Sequence, residues 1–216
     1  MTDDWTKAQE NKDLPDDKFE EIKSFYLSKI FIPENKPTMQ IMLCPVGVVG
    51  AGKSTVVIPL AKKLNLVRVS TDEIRKILKE KDFNYNRARE IALNIISDFL
   101  EKGFSIAVDA NCGSKESFEK IKEIEQKYKL KIIWIFVNPH EKFIVDKLKN
   151  YKHTWLFKDG EDAVDAFYKY KNNYIDKFGD WSHLNINLFY TFDTSKNDIK
   201  DQIEKCYIKI VDEIFR

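Results

Sequence analysis

The sequence predicts an α/β fold, a parallel sheet with helices on both faces. Two observations carry this. From Met39 onward, short apolar runs alternate with stretches in which apolar residues recur every three or four positions, the pattern of strands feeding helices. A glycine-rich segment, Gly47 to Thr55, lies between the first apolar run, Ile41 to Val46, and a helix-capable stretch, so the chain passes from strand through a tight turn into a helix.

Taken in order, residues 1–15 are polar and acidic and are expected to be poorly ordered. Residues 16–30 read as an amphipathic helix, because Phe19, Ile22, Phe25, Tyr26 and Ile30 share one face. That helix either packs on the main domain or offers its apolar face to a partner. Pro33 and Pro37 end the segment, which sets a leading segment at 1–37 apart from a main domain at 38–216. Strands are predicted at 40–46, 66–70, 104–109, 131–137 and 187–192. Helices are predicted at 53–64, 72–80, 86–102, 114–128, 140–150, 161–178 and 197–214. Gly103 stands where a helix C-terminal glycine belongs, and Ser114 reads as an N-cap. Pro59 falls inside the helix after the glycine turn and is expected to kink it or loosen its second turn.

Composition narrows the function classes. The chain has 216 residues, 43% hydrophobic and 33% charged, as in a globular domain with a sizeable core. Its 36 basic and 35 acidic residues leave a net charge of +1, so no global field draws nucleic acid or membrane. Arginine is scarce, at positions 68, 75, 87, 89 and 216, which makes an arginine inside a motif informative. Cys44, Cys112 and Cys206 lack metal-ligand spacing and fit a reducing compartment, with Cys44 in the core. There is no basic-then-apolar leader pattern and no run of about 18 apolar residues to span a bilayer, so a cytoplasmic protein is expected.

Residues 47–55 read Gly-Val-Val-Gly-Ala-Gly-Lys-Ser-Thr, a complete G-x-x-x-x-G-K-[ST] phosphate-binding loop. Gly47, Gly50 and Gly52 let backbone amides curl around an anion, with Ala51 and Thr55 completing the wrap. The following helix points its positive end at the same place. Lys53 is expected to reach the β- and γ-phosphates of ATP, and Ser54 to ligate Mg²⁺. A second cluster, Ser70 to Arg75, follows the second strand, so Asp72 falls on the sheet edge that carries the phosphate loop. A carboxylate there can take the proton of an attacking hydroxyl. Arg75, one helical turn on, can grip a phosphate or carboxylate of the acceptor. The third strand ends in Asp109-Ala110-Asn111. Asp109 can bind Mg²⁺ through water, hold Arg75 or orient the acceptor, and an Asp/Asn turn is the plainer alternative.

These three segments together resemble the polynucleotide-kinase-like branch of the phosphate-loop kinases, which is similar in layout to the zeta-toxin kinases. The resemblance covers about residues 39–195 and includes Asp193-Thr194-Ser195 after the last strand. It implies a three-layer kinase fold with a five-stranded parallel sheet in the order 2-3-1-4-5 and a helical lid at about 140–160. It also implies Asp72 as general base, Arg75 on the acceptor's phosphate, and Asp109 with Asn111 in acceptor positioning. Val49 and Ala110 stand where that family usually has proline and threonine. The family's lid arginines are absent between 140 and 160, where Lys142, Lys147, Lys149, Lys152, His153 and Lys158 occur instead. Lys147 is the nearest match, although lysine lacks the bidentate fork.

Aromatics near the lid could stack a base, with Trp155 favoured and Tyr170 and Tyr174 more in keeping with a core role. Tyr85, Arg87 and Arg89 could line an acceptor pocket or begin a solvated helix. The expected function is ATP-dependent transfer of the γ-phosphate to a hydroxyl, of a polynucleotide 5′-end or of a nucleoside or sugar derivative. The alternative is a nucleotide-binding regulator or slow NTPase without an acceptor. No Asn-Lys-x-Asp pattern specifies guanine.

Overall fold

The computed structural model describes residues 11–151, 156–172 and 186–215. Five strands, β1 (Ile41–Val46), β2 (Val67–Ser70), β3 (Ile106–Asp109), β4 (Lys131–Val137) and β5 (Leu188–Phe192), form one parallel sheet in the order β2-β3-β1-β4-β5. This is the predicted order. Each strand is followed by helical chain, and all five carboxyl ends lie along one edge, where an open α/β sheet builds its crevice. The register of β2 on β3 sets Ser70 opposite Asp109.

The helices are α1 (Asp16–Leu27), α2 (Lys53–Lys63), α3 (Thr71–Glu80), α4 (Ala88–Glu101), α5 (Lys115–Tyr128), α6 (Glu141–Lys149), α7 (Gly160–Tyr170) and α8 (Ile199–Ile210), the last running into a π-turn at Val211–Phe215. Right-handed crossovers put α2 on one face, where it meets α8, and α3, α4 and α5 on the other. All six residues of β1 are buried, as a central strand covered on both faces requires. The three cysteines are free and buried.

Of three local expectations, the one at Pro59 changed on folding, while Ser114 was met and the alternatives at Tyr85 were resolved. Helix α2 runs through Pro59 without interruption to Lys63; the proline removes one N–H, which would have bonded Thr55, and the remaining turns continue. Ser114 is a true N-cap, its Oγ accepting from Ser117 N at 3.2 Å. Tyr85 is 6% exposed, so it belongs to the packed interior and not to a solvated helix start. Helix α1 uses the predicted face, burying Phe19, Ile22 and Tyr26 against α3 and α4, while Phe25 stays exposed.

Candidate functional site

The phosphate loop wraps the start of α2, with Gly52 as its N-cap residue. Glycine is needed at two points for distinct reasons. A Cβ on Gly47 would stand 2.6 Å from the carbonyl oxygen of Val137 on β4. Gly50 has φ +78°, and a Cβ there would meet Ile144 Cγ2 of α6 at 2.9 Å. The lid candidate α6 therefore packs directly on the loop. Thr194, just after β5, donates from Oγ1 to Ala51 O at 2.6 Å and latches the loop from the other side.

Lys53 turns back along the loop, its Nζ donating to Gly47 O at 3.0 Å and Val48 O at 2.8 Å. Burial lowers its pKa, opposed by the negative charges of Asp72 and Asp109. Ser54 Oγ donates to Asp109 Oδ1 at 2.8 Å. The other carboxylate oxygen of Asp109 accepts from Arg68 Nε at 3.0 Å, and Arg68 also donates to Glu73 at 2.9 Å. Of the roles open to Asp109 in the sequence, holding an arginine is thus realised by Arg68 from β2, whereas Arg75 Nη1 donates to Asp72 Oδ1 at 2.8 Å.

Asp72 lies in the first turn of α3, after a strand end that Ser70 caps by accepting from Glu73 N. It is half-buried, and its charge reaches Tyr151, whose hydroxyl is pushed up to about 12 by burial first and by Asp72 second. Asn111 Oδ1 accepts from the amides of Gly47 and Gly113, both at 3.2 Å, while its Nδ2 donates to Tyr170 OH. Tyr170 is therefore both core and cavity wall. Lys147 Nζ points onto the loop, 3.4 Å from Gly50 O, and partial burial lowers its pKa. Lys142 instead pairs with Asp146 on the outer face of α6. Lys152, His153, Trp155, Asn173 and Tyr174 lie outside the described residues.

One cavity of about 430 Å³ joins the loop, Asp72, Arg75, Asp109, Asn111 and Lys147. It runs on between α4 and α5, where Arg89 lines it; Arg87 instead pairs with Asp16 and Glu90. Residues that sequence reasoning left without a role are Arg68, Thr194 and Tyr26. The hydroxyl of Tyr26, on α1, accepts from Ser70 N at 2.8 Å, at the turn that carries Asp72. Arginine scarcity was the available signal for Arg68, and the Asp193-Thr194-Ser195 run after the last strand for Thr194; for the hydroxyl of Tyr26 there was none.

The oxygens present suit Mg²⁺ bound together with a nucleotide. Ser54 and Asp109 offer two adjacent hard donors, and this ion ordinarily takes one or two protein oxygens and draws the rest from phosphate and water. No group of three or more His, Cys, Asp or Glu side chains among the described residues could hold a metal alone. No described helix is long and apolar enough to cross a membrane.

Comparison with known proteins bears on this arrangement. The sequence matches no curated protein. Solved structures with the same fold include a candidate kinase from Chloroflexus aurantiacus, with TM-score 0.58, 14% identity, and coverage of 78% of this chain and 97% of that one. A chain of the PezAT chromosomal toxin–antitoxin system of Streptococcus pneumoniae has TM-score 0.54 and 12% identity, covering 93% and 98%. Shikimate kinase from Acinetobacter baumannii, in complex with shikimate, has TM-score 0.53 and 14% identity, covering 83% and 97%. At such identities the likeness is one of fold. A family model described as AAA domain matches residues 42–163, more than half of the chain. The match takes in the phosphate loop, the Asp72 turn, Asp109 and α6, and the chain belongs to this AAA domain family, in a kinase-like P-loop fold.

Proposed function

We propose that the protein is an ATP- and Mg²⁺-dependent phosphotransferase that moves the γ-phosphate to a hydroxyl group of an acceptor. The observation that carries this reading is the sharing of one cavity by a complete phosphate loop and by Asp72, a carboxylate at the head of α3. Gly47, Gly50, Ala51, Gly52 and Thr55 wrap the phosphates with backbone amides, and Lys53 exchanges its bonds to loop carbonyls for phosphate oxygens. Ser54 and Asp109 hold Mg²⁺, which when bound neutralises phosphate charge.

Asp72 takes the proton of the acceptor hydroxyl as the new O–P bond forms, and ADP leaves with the electrons of the broken bond. Arg75 binds the acceptor and, through its bond to Asp72, fixes the base. Asn111 helps position the acceptor, and Lys147 approaches the transferring group from the lid at about 140–160. Much of this work is placement of reactants and neutralisation of charge.

The reading extends to a polynucleotide-kinase-like or zeta-toxin-like branch, supported by Ser70-x-Asp72, Arg75 and Asp109-x-Asn111 occurring on the expected elements. A nucleoside or sugar derivative and a polynucleotide 5′-hydroxyl are the acceptor classes it contains. Residues 38–216 form the catalytic domain, preceded by the segment 1–37, in a cytoplasmic setting.

Nucleotide binding is its first test. Lys53→Ala removes a charge-assisted phosphate contact worth roughly 1.5–3 kcal/mol, so calorimetry with MgATP should find affinity reduced about 10- to 150-fold. Equal affinity in wild type and variant would remove the loop from the mechanism.

A further inference from the structure

We infer that the acceptor of this site joins its hydroxyl to a flat apolar ring and is a small molecule, neither a bare sugar or polyol nor the end of a long strand. The inference rests on the phosphotransferase reading for where the acceptor lies, and it adds what the acceptor must look like.

The cavity continues past Asp72 and Arg75 into a chamber between α4 and α5, over the face of the sheet. Its walls there are Val69 and Val108 from β2 and β3, Ala92, Leu93 and Ile96 from α4, and Ile121 from α5. These are core side chains, five of the six nearly fully buried and Leu93 half-buried. The cavity's polar lining includes Asp72 and Arg75 of α3, Asn111 after β3, Arg89 of α4, and Ser114, Ser117 and Lys120 at the start of α5. An acceptor reaching Asp72 with its hydroxyl must send the rest of its body along this apolar wall. Each hydroxyl of a polyol pressed on that wall would lose water without gaining a partner, a cost of about tenfold or more in affinity. A ring buries its faces there at no such cost.

The arginines that could have followed a strand are already engaged. Arg87 is paired with Asp16 and Glu90, and Arg89 with Glu116 and, at 2.7 Å, Ser117 Oγ. Cationic side chains held by carboxylates in this way make a poor track for successive phosphodiesters, which binding to a long strand requires.

The experiment uses matched probes, thymidine against 2-deoxyribose and phenyl β-glucoside against glucose. Binding to the full chain with saturating MgADP is read by ligand-observed NMR titration. The ring-bearing member of each pair should bind at least tenfold more tightly. Ala92→Phe fills the chamber and should weaken both ring-bearing probes at least tenfold while MgADP affinity is unchanged. Should that variant melt, Leu93→Gln, at a half-buried wall position, should weaken them about threefold or more. Equal binding within each pair, no binding of either ring-bearing probe, or equal binding by wild type and a folded variant would overturn the inference. A short single strand with a 5′-hydroxyl binding more tightly than thymidine would overturn it as well. Ring-selective binding with no transfer from labelled ATP to any bound probe would instead defeat the phosphotransferase reading and leave the pocket assignment standing.

Discussion

Asp109 carries a carboxylate that is 3% exposed and meets Ser54 on one oxygen and Arg68 on the other. A buried carboxylate tolerates its lost hydration only if both oxygens are supplied, and the pair with Arg68 is what supplies the second. Removing the arginine leaves an uncompensated buried charge, so Arg68→Met should lower unfolding stability by about 3–5 kcal/mol. Asp109→Asn in the same chain should recover part of that loss, with a coupling of about 1–3 kcal/mol in a double-mutant cycle by chemical denaturation. Additive losses would mean that the two side chains do not support each other. Asp109 itself was legible, because a carboxylate closing a strand after a phosphate loop falls at the crevice. Its partner was not. Arg68 precedes the Asp72 turn by four residues, and its reach to Asp109 depends on β2 lying beside β3 with Ser70 opposite Asp109, a register that no local pattern encodes.

The same limit appears among the elements. Among the described residues, periodicity located each helix and strand, with boundaries that mostly moved by two residues or fewer, because apolar spacing directly reflects which face is buried; the end of the helix predicted at 161–178 lies outside the described residues. It could not say what each element touches. Helix α1 reads from its own residues as an amphipathic segment that either docks or recruits a partner; in the fold it packs against α3 and α4 and extends a hydroxyl to the turn before Asp72. Tyr26 is 1% exposed, and burial raises its phenol pKa well above the usual range, so it serves as a neutral hydrogen-bonding group. Tyr26→Phe keeps the ring and strands the amide of Ser70, at a cost of about 1–3 kcal/mol. Urea unfolding should detect that loss. An unchanged midpoint at unchanged slope would show that the amide has another partner and that α1 does not brace the turn. Lid chemistry was legible only in part. Lys147 was singled out for its position along α6, and its amine does face the loop, but the packing of Ile144 and Leu148 against Gly50 needed the tertiary structure.

At the scale of the whole molecule, strand–helix alternation foretold a parallel sheet, while its order came from resemblance, since strand order is a property of the assembled fold. The consequence of that order is functional. It brings the carboxyl ends of β1, β2 and β3 side by side, and with them the phosphate loop, the Asp72 turn and Asp109-Ala110-Asn111. Segments far apart in sequence thereby share one cavity, with α6 packed across the loop. The step on which the proposed transfer depends is the action of Asp72 on an acceptor held in that cavity. Asp72→Asn preserves shape and removes the base. Measured with γ-labelled ATP and a panel of nucleosides and sugar derivatives, the variant should bind MgATP about as tightly as wild type and transfer phosphate about 10²-fold or more slowly. Transfer at equal rates by both proteins would contradict the account.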